Sequence, residues 1–339
     1  MENMNNKVDI VIPWVDGYDP EWRKKAEPYI KKGLQNKAAE KKNVDDRRYR
    51  DWDILKYTFR SIEKYFSWVN KVYLVTDNQK PKWLNTSYSK VEVIDHKQII
   101  DEKYLPLFNS SAILLNLYKI PNLSEEFILI NDDMLFTSPI KEDTYFKDGL
   151  PKDFMVENAL TASIDFFKNL FNSMRLINST FNKRDFIKKN LGKYFSMHYG
   201  IDNVRTLLSL PYRYYTGFQS IHCAQPYLKS AFEKVWELYP EKLEQTCMHK
   251  TRDERDVTEW LVRYYQLASG NFVPDKVHKG KYFNLGDEGA LDEIDDILKK
   301  KKYYSICLND DNVTNFESTL KRITKILQTV FPKKSNYEI

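Results

Sequence analysis

Two aspartates stand side by side in the stretch FILINDDMLFTSP, residues 127–139. An apolar run leads into Asn131, Asp132 and Asp133, and the chain then turns apolar again at once. Ionised carboxyls at the end of a buried strand are costly unless they are paired or bind a metal. Seen alone, such a pair reads first as an Asx turn or a helix cap. Its functional counterpart is a hard-cation site, because Mg²⁺ or Mn²⁺ takes one or two carboxylates and completes its shell with water and substrate phosphates. The ending recurs at Asn309-Asp310-Asp311, within KKYYSICLNDD (301–311), so Asp310 is a candidate third metal ligand beside Asp132 and Asp133.

Other residue types point to proton and phosphate handling. None of the histidines (His96, His198, His222, His249 and His278) pairs with another at the spacing of a zinc helix, so HExxH chemistry is absent. His222, in SIHCAQP, is a candidate base; alone it reads first as a hydrogen-bonded structural histidine. Its neighbour Cys223 makes no Cys–His nucleophile, because adjacent side chains point apart. No GxSxG elbow, P-loop or GxGxxG is present. Arg252 and Arg255, in HKTRDERDV, read either as surface ion pairs or as a clamp for phosphate, which guanidinium geometry suits. The lysine run 299–302 reads as a solvated face, with acidic lipid headgroups as its functional alternative.

These groups need a scaffold. VDIVIPWVDG predicts a first strand ending in a loop, and KVYLVTDN and KVEVID predict two more. Leu55, Phe59, Ile62 and Phe66 recur at helical spacing, predicting an amphipathic helix over 52–66. A charged helix and loop are expected over 20–46, and a short helix over 110–119. Strands alternating with helices indicate an α/β fold, Rossmann-like, with a mostly parallel sheet and flanking helices. Ligands of such sheets sit at the carboxyl ends of strands, where Asp16, Thr76-Asp77-Asn78 and Asn131-Asp132-Asp133 lie. Residues 157–216 read as a helix-rich inserted subdomain, dividing the catalytic domain into halves at 1–156 and 217–339. Helices are expected over 225–240 and 255–270, the latter ended by Gly270, then a strand in 301–311 and a closing amphipathic helix.

Composition sets the surroundings. The chain has 339 residues, 42% apolar and 30% charged, as in ordinary globular proteins. A net charge of +5 without any nucleic-acid module gives no reason to expect a nucleic acid partner. Cys223, Cys247 and Cys307 are odd in number and scattered, which fits a reducing compartment. No signal-like leader or membrane-length apolar run is seen, so a cytoplasmic location is expected, with any membrane contact peripheral, at the inner face of the plasma membrane.

Four ordered blocks resemble the Stealth family of sugar-1-phosphate transferases, which includes bacterial capsule and exopolysaccharide phosphotransferases and the animal lysosomal-enzyme N-acetylglucosamine-1-phosphotransferase. The blocks are DIVIPWVDGYDPEW (9–22); RYRDWDILKYTFRSIEKYFSWVNKVYLVTDNQKPKWLN (48–85), continuing through YLPLFNSSAI and LSEEFILINDDMLF; IHCAQPYLKSAFEKVWELYPE (221–241) with HKTRDERDVTEWLVRYYQLASG (249–270); and YYSICLND (303–310) with FPKKSNYE. The resemblance implies transfer of a hexose-1-phosphate from a nucleotide sugar to a hydroxyl of a lipid-linked or growing glycan, with a nucleoside monophosphate released. It places the acidic pair on Asp132 and Asp133, the reactive histidine on His222, as base or covalent nucleophile, the arginine on Arg252 and the late aspartate on Asp310. Trp14, Asp16 and Gly17 carry the nucleotide-side motif, and Asp77, Asn78 and Asn109 are further candidate substrate-binding residues. The chain departs from the family at Leu114, where a glutamate is usual, and at Tyr118-Lys119, where His-Arg is usual, leaving the site one acid short. The competing readings are a metal-dependent glycosyltransferase, which releases a nucleoside diphosphate, and a non-catalytic glycan-binding or assembly protein.

Overall fold

The computed structural model describes residues 7–35, 52–161 and 165–339. Strand β1 (Val8–Pro13) is buried along almost its whole length, as a central parallel strand must be. Helix α1 (Pro20–Gln35) realises the first part of the expected charged helix; residues 36–46 of that expectation lie outside the described residues. Helix α2 (Leu55–Tyr65) turns the predicted apolar stripe of Leu55, Phe59 and Ile62 into the core. Strands β2 (Val72–Thr76) and β3 (Val91–Asp95), short helices α3 (His96–Ile99) and α4 (Ser110–Leu115), and strand β4 (Glu126–Leu129) follow.

Beyond β4 the chain forms β5 (Met134–Phe136), β6 (Phe146–Lys147) and β7 (Leu150–Asp153), then four helices between residues 165 and 209. These are α5 (Asp165–Thr180), α6 (Lys183–Lys189), α7 (Leu191–Tyr194) and α8 (Asn203–Ser209), with a 3-10 segment, Met197–Asp202, before the last. Strand β8 (Gln225–Leu228) returns to the main sheet, followed by α9 (Lys229–Leu238), α10 (Pro240–Met248) and α11 (Trp260–Ser269). The chain closes through β9 (Val273–Pro274), β10 (Gly280–Asn284), α12 (Ala290–Lys300), β11 (Ser305–Asn309) and α13 (Phe316–Val330).

The main sheet has five strands in the order β3-β2-β1-β4-β8. The first four are parallel and β8 runs antiparallel to β4, so the α/β expectation of a mostly parallel sheet holds. Two smaller sheets, β10-β11-β5 and β6-β7-β9, flank it.

The helices expected over 225–240 and 255–270 both begin later than their sequences suggested, at Lys229 and Trp260. Residues 225–228 are a strand, with Phe127 opposite Tyr227. An edge position tolerates Pro226, and the outward Leu228 N–H is met by Gln266 Oε1 at 2.9 Å. Helix α11 begins at Trp260, because the carboxylate of the buried Asp256 draws the preceding residues into a loop. It accepts hydrogen bonds from Asp253 N and Asn109 Nδ2, both at 2.8 Å, and meets His249 Nδ1 at 2.6 Å. Gly270, at φ +81°, ends the helix as expected.

The two ends of the segment expected to be an insertion lie side by side. Glu157 bridges Phe218, and Asn158 N donates to the Gly217 carbonyl at 3.0 Å. Only glycine fits at 217: φ is +142°, and a Cβ there would stand 2.6 Å from Asn158 O. Inside, buried Lys183 pairs with Glu157 at 2.7 Å and donates to Ser209 O at 2.7 Å.

Candidate active site

A cavity of about 970 Å³ opens at the carboxyl ends of the strands. Its wall includes Trp14 after β1, Asp77 after β2, Asn131, Asp132 and Asp133 after β4, and Asn309 and Asp310 at the end of β11. His222, Arg252, Leu114 and the aromatic rings of Trp52, Trp260 and Tyr282 share it. The volume suits a substrate of nucleotide-sugar size.

Strand pairing brings the two acidic endings together. Met134 lies opposite Cys307 in the β5–β11 ladder, and Leu308 N donates to Asp133 O at 2.9 Å. Both endings line the same cavity, with Asn131, Asp132 and Asp133 in the turn that precedes β5 and Asn309 and Asp310 at the end of β11. Thr58 Oγ1 of α2 donates to Asp132 O at 3.2 Å, tying the acidic turn to the helix behind it. Cys307 Sγ donates to Asp133 Oδ2 at 3.4 Å, while Asp133 Oδ1 is buried without a hydrogen-bond partner. Burial pushes the Asp133 carboxyl up to about 6. An unmet buried acceptor costs about 1–3 kcal/mol, and a cation at Oδ1 would meet it. Among the described residues no three His, Cys, Asp or Glu side chains converge closely enough to hold a metal by themselves. Asp133 Oδ1 is thus the one observed donor suited to a Mg²⁺-type ion, whose remaining shell would be left to neighbouring carboxylates, water and substrate oxygens.

His222 sits on a loop pinned from behind. The fully buried Arg263 grips Asp153 with two hydrogen bonds, of 2.8 and 2.9 Å, and donates to Gln219 O at 3.1 Å and Ser220 Oγ at 3.2 Å. Asn131 Nδ2 lies 3.0 Å from His222 Nε2. An amide donor on that nitrogen pairs with a neutral ring protonated at Nδ1. The surrounding protein, and then the charge of Arg252, lower the His222 pKa to about 4, so the ring is neutral at pH 7 although it remains accessible through the cavity.

Arg252 projects from the Asp256-bound loop, and its Nε donates to Ser110 Oγ at 2.8 Å. Asn109 is placed differently from expectation. It is fully buried behind the cavity wall, where Oδ1 caps α4 at Ser111 N, 3.1 Å away, and Nδ2 holds Asp256. It positions the arginine loop, and its polar atoms are spent in doing so. Asp16 and Gly17 also lie off the wall: the Asp16 carboxylate accepts from Tyr18 N at 2.8 Å, and its backbone is bracketed by Gln79. Asp77 is on the wall, clamped by Lys25 at 2.5 Å, and Asn78 lines a neighbouring shallow recess. Arg255 is an ion pair with Asp253, at 2.7 Å.

Two wall residues had no motif to announce them. Asn131 passed as the first residue of a turn. Glu259, preceding α11, falls inside the helix expected over 255–270 with nothing to single it out, yet it lines the cavity that Leu114 also lines. Burial raises its carboxyl to about 7 against the opposing pull of Arg252.

Residues 48–153 match the family model described as Stealth protein CR2, conserved region 2. The chain is 40% identical over 334 residues to exopolysaccharide phosphotransferase cps2G of Lactiplantibacillus plantarum, covering 98% of this chain and 96% of that one. It is 37% identical over 341 residues to receptor polysaccharide phosphotransferase WefC of Streptococcus gordonii, with 99% and 100% covered. Capsular polysaccharide phosphotransferase WcwK of Streptococcus pneumoniae is 34% identical over 336 residues, with 99% and 100% covered. Among solved structures, the galactosyltransferase LgtC, bound to donor and acceptor sugar analogues, overlaps with a TM-score of 0.42 at 9% identity, 95% of each chain being covered. The full-length identity to these phosphotransferases, with the conserved-region match, places the chain in the Stealth family.

Proposed function

We propose that this protein transfers a hexose-1-phosphate from a nucleotide sugar, a UDP-sugar, to a hydroxyl of a lipid-linked or growing glycan during capsule or exopolysaccharide synthesis. The observation that carries the reading is the composition of one cavity. Carboxylates from two strand ends face a space shared with a neutral imidazole and a guanidinium. The names of the full-length relatives point the same way.

In this reaction the acceptor oxygen attacks the phosphorus that bears the sugar. A new P–O bond forms, the hydroxyl proton passes to His222 Nε2, and the P–O bond to the nucleoside monophosphate breaks. Asn131 occupies Nε2 until the hydroxyl replaces it. Arg252 offsets negative charge on the phosphoryl oxygens. A bound Mg²⁺ or Mn²⁺ would neutralise the donor diphosphate, and Asp132, Asp133 and Asp310 are the residues that would hold it. Trp14 and Asp77 bound the donor side, and Glu259 supplies an acid in a wall that carries leucine at 114. The reaction takes place at the inner, cytoplasmic face of the membrane.

The released nucleotide tests this. The protein is incubated with a panel of UDP-sugars, Mg²⁺ and a glycan acceptor, and UMP is separated from UDP. Acceptor-dependent UMP is the expected result. UDP would mean attack at the anomeric carbon, and the chain would be a glycosyltransferase.

A further inference from the structure

The helical region before β8 carries a surface that contact with water alone does not explain. In the 3-10 segment and α8, Met197 is 95% exposed, Ile201 82% and Leu208 71%, and Leu207, Tyr212 and Tyr214 are exposed beside them. Single exposed apolar side chains are ordinary, whereas a run of them on consecutive turns marks an interaction surface. The segment is firmly built: Tyr199, Thr206 and Ser209 of the same stretch are buried, and Lys183 holds Ser209 from inside.

The charges are one-sided. Between residues 184 and 214 the sequence has six Lys and Arg and two carboxylates, Asp185 on α6 and Asp202. Asp202 is turned inward and lies 3.5 Å from Arg205 and 3.2 Å from His278. Asp185 apart, what remains outside is apolar and aromatic, interleaved with Lys188, Lys189, Arg205 and Arg213. The lysine run 299–302 differs: Lys299 and Lys300 pair with Asp295 and Asp296 on α12, so it presents no comparable basic face. Exposed apolar and tyrosine side chains with an excess of cations are the combination that settles into the headgroup region of an acidic bilayer.

The surface is also joined to the cavity. Arg205 Nη1 donates to Asn158 Oδ1 at 2.9 Å, and Asn158 lines the cavity wall. We propose that the face formed by Met197–Tyr214 docks on an acidic lipid bilayer and so holds the cavity beside an acceptor carried in that bilayer. The second clause rests on the lipid-linked acceptor proposed above; the docking itself does not.

Flotation of the full chain with mixed phosphatidylcholine–phosphatidylglycerol vesicles tests the docking without nucleotide sugar or acceptor, so its outcome is independent of the transferase reading. The protein is expected to float with the mixed vesicles, to stay behind with pure phosphatidylcholine, and to be released by high salt. Ile201→Glu with Leu208→Glu is expected to abolish flotation. Lys188→Ser with Lys189→Ser should weaken it roughly 25-fold at low salt, each cation near an acidic surface contributing about fivefold. A thermal melt matching the parent's checks that the exposed substitutions leave the fold intact. Wild-type protein that stays in solution, or a double-glutamate variant that still floats, overturns the proposal. So does a dimer in sedimentation equilibrium that the glutamates dissociate, because the face would then be covered by a second copy.

Discussion

Asn131-Asp132-Asp133 and Asn309-Asp310-Asp311 are the same tripeptide after two apolar strands, set side by side by the pairing of β5 with β11. In the first, the asparagine amide meets the ring of His222, and the last aspartate has one oxygen buried without a partner. In the second, Asn309 Nδ2 donates to Asn284 Oδ1 at 3.2 Å, and Asp311 is exposed, its carboxylate accepting from Asn312 N at 2.9 Å. Of the two aspartates of the second ending only Asp310 lies on the cavity wall. Burial and neighbours, rather than the motif, separate the aspartates that face the cavity from Asp311, which faces solvent.

The comparison breaks most sharply at the histidine that the first ending holds. His222→Ala is expected to lower kcat roughly 10²–10⁴-fold, the usual worth of a positioned base, while donor binding survives in a titration with nucleotide sugar. Lost donor affinity with turnover retained would remove the base role, and a sugar-phosphate adduct on His222 in mass spectrometry would replace it with covalent catalysis. Asp133→Asn is expected to cost on the order of 10²–10³-fold, as lost electrostatic stabilisation does. It should also remove the rise in Tm that Mg²⁺ gives the parent, since a ligand specific for the folded state stabilises it. A variant whose Tm still rises normally with Mg²⁺ would mean that the cation is held elsewhere.

Much of this was legible before the fold was known, for a reason that particular residues make plain. Apolar periodicity is a local signal, so β1, β2, β3 and α2 fell where the sequence placed them. Motif residues with strand-end positions, such as Asp132 and Asp133, were legible for the same reason. What escaped depends on contacts far along the chain. Gln225–Leu228 became a strand because β4 offered it an edge, and Asn109 became a hidden brace because Asp256, 147 residues away, took its amide. Asn131 and Glu259 gained their places from tertiary packing around His222 and Arg252, which no local spacing encodes.

Asn131→Ala sharpens the comparison at a smaller scale. An amide donor on Nε2 favours the neutral ring, so removing it raises the His222 pKa. The ring works as a base only when neutral; activity in the parent should fall first as Asp133 protonates near about 6, and the histidine's own acid limb should lie lower, near about 4. In the variant that limb of kcat/KM should move to higher pH, with a loss of about tenfold near neutrality from the freed ring. A lower rate with an unmoved limb would reduce Asn131 to a packing role. The counterpart of Asp133→Asn in the second ending, Asp311→Asn, should leave rate, limb and Mg²⁺ response within about twofold of the parent, because surface substitutions away from a site usually cost little. The pair of measurements discriminates because the two side chains come from identical tripeptides. If Asp311→Asn also lowered the rate substantially, the exposed ending would belong to the reaction, and the division drawn from burial and hydrogen bonding would fail where the two strands meet.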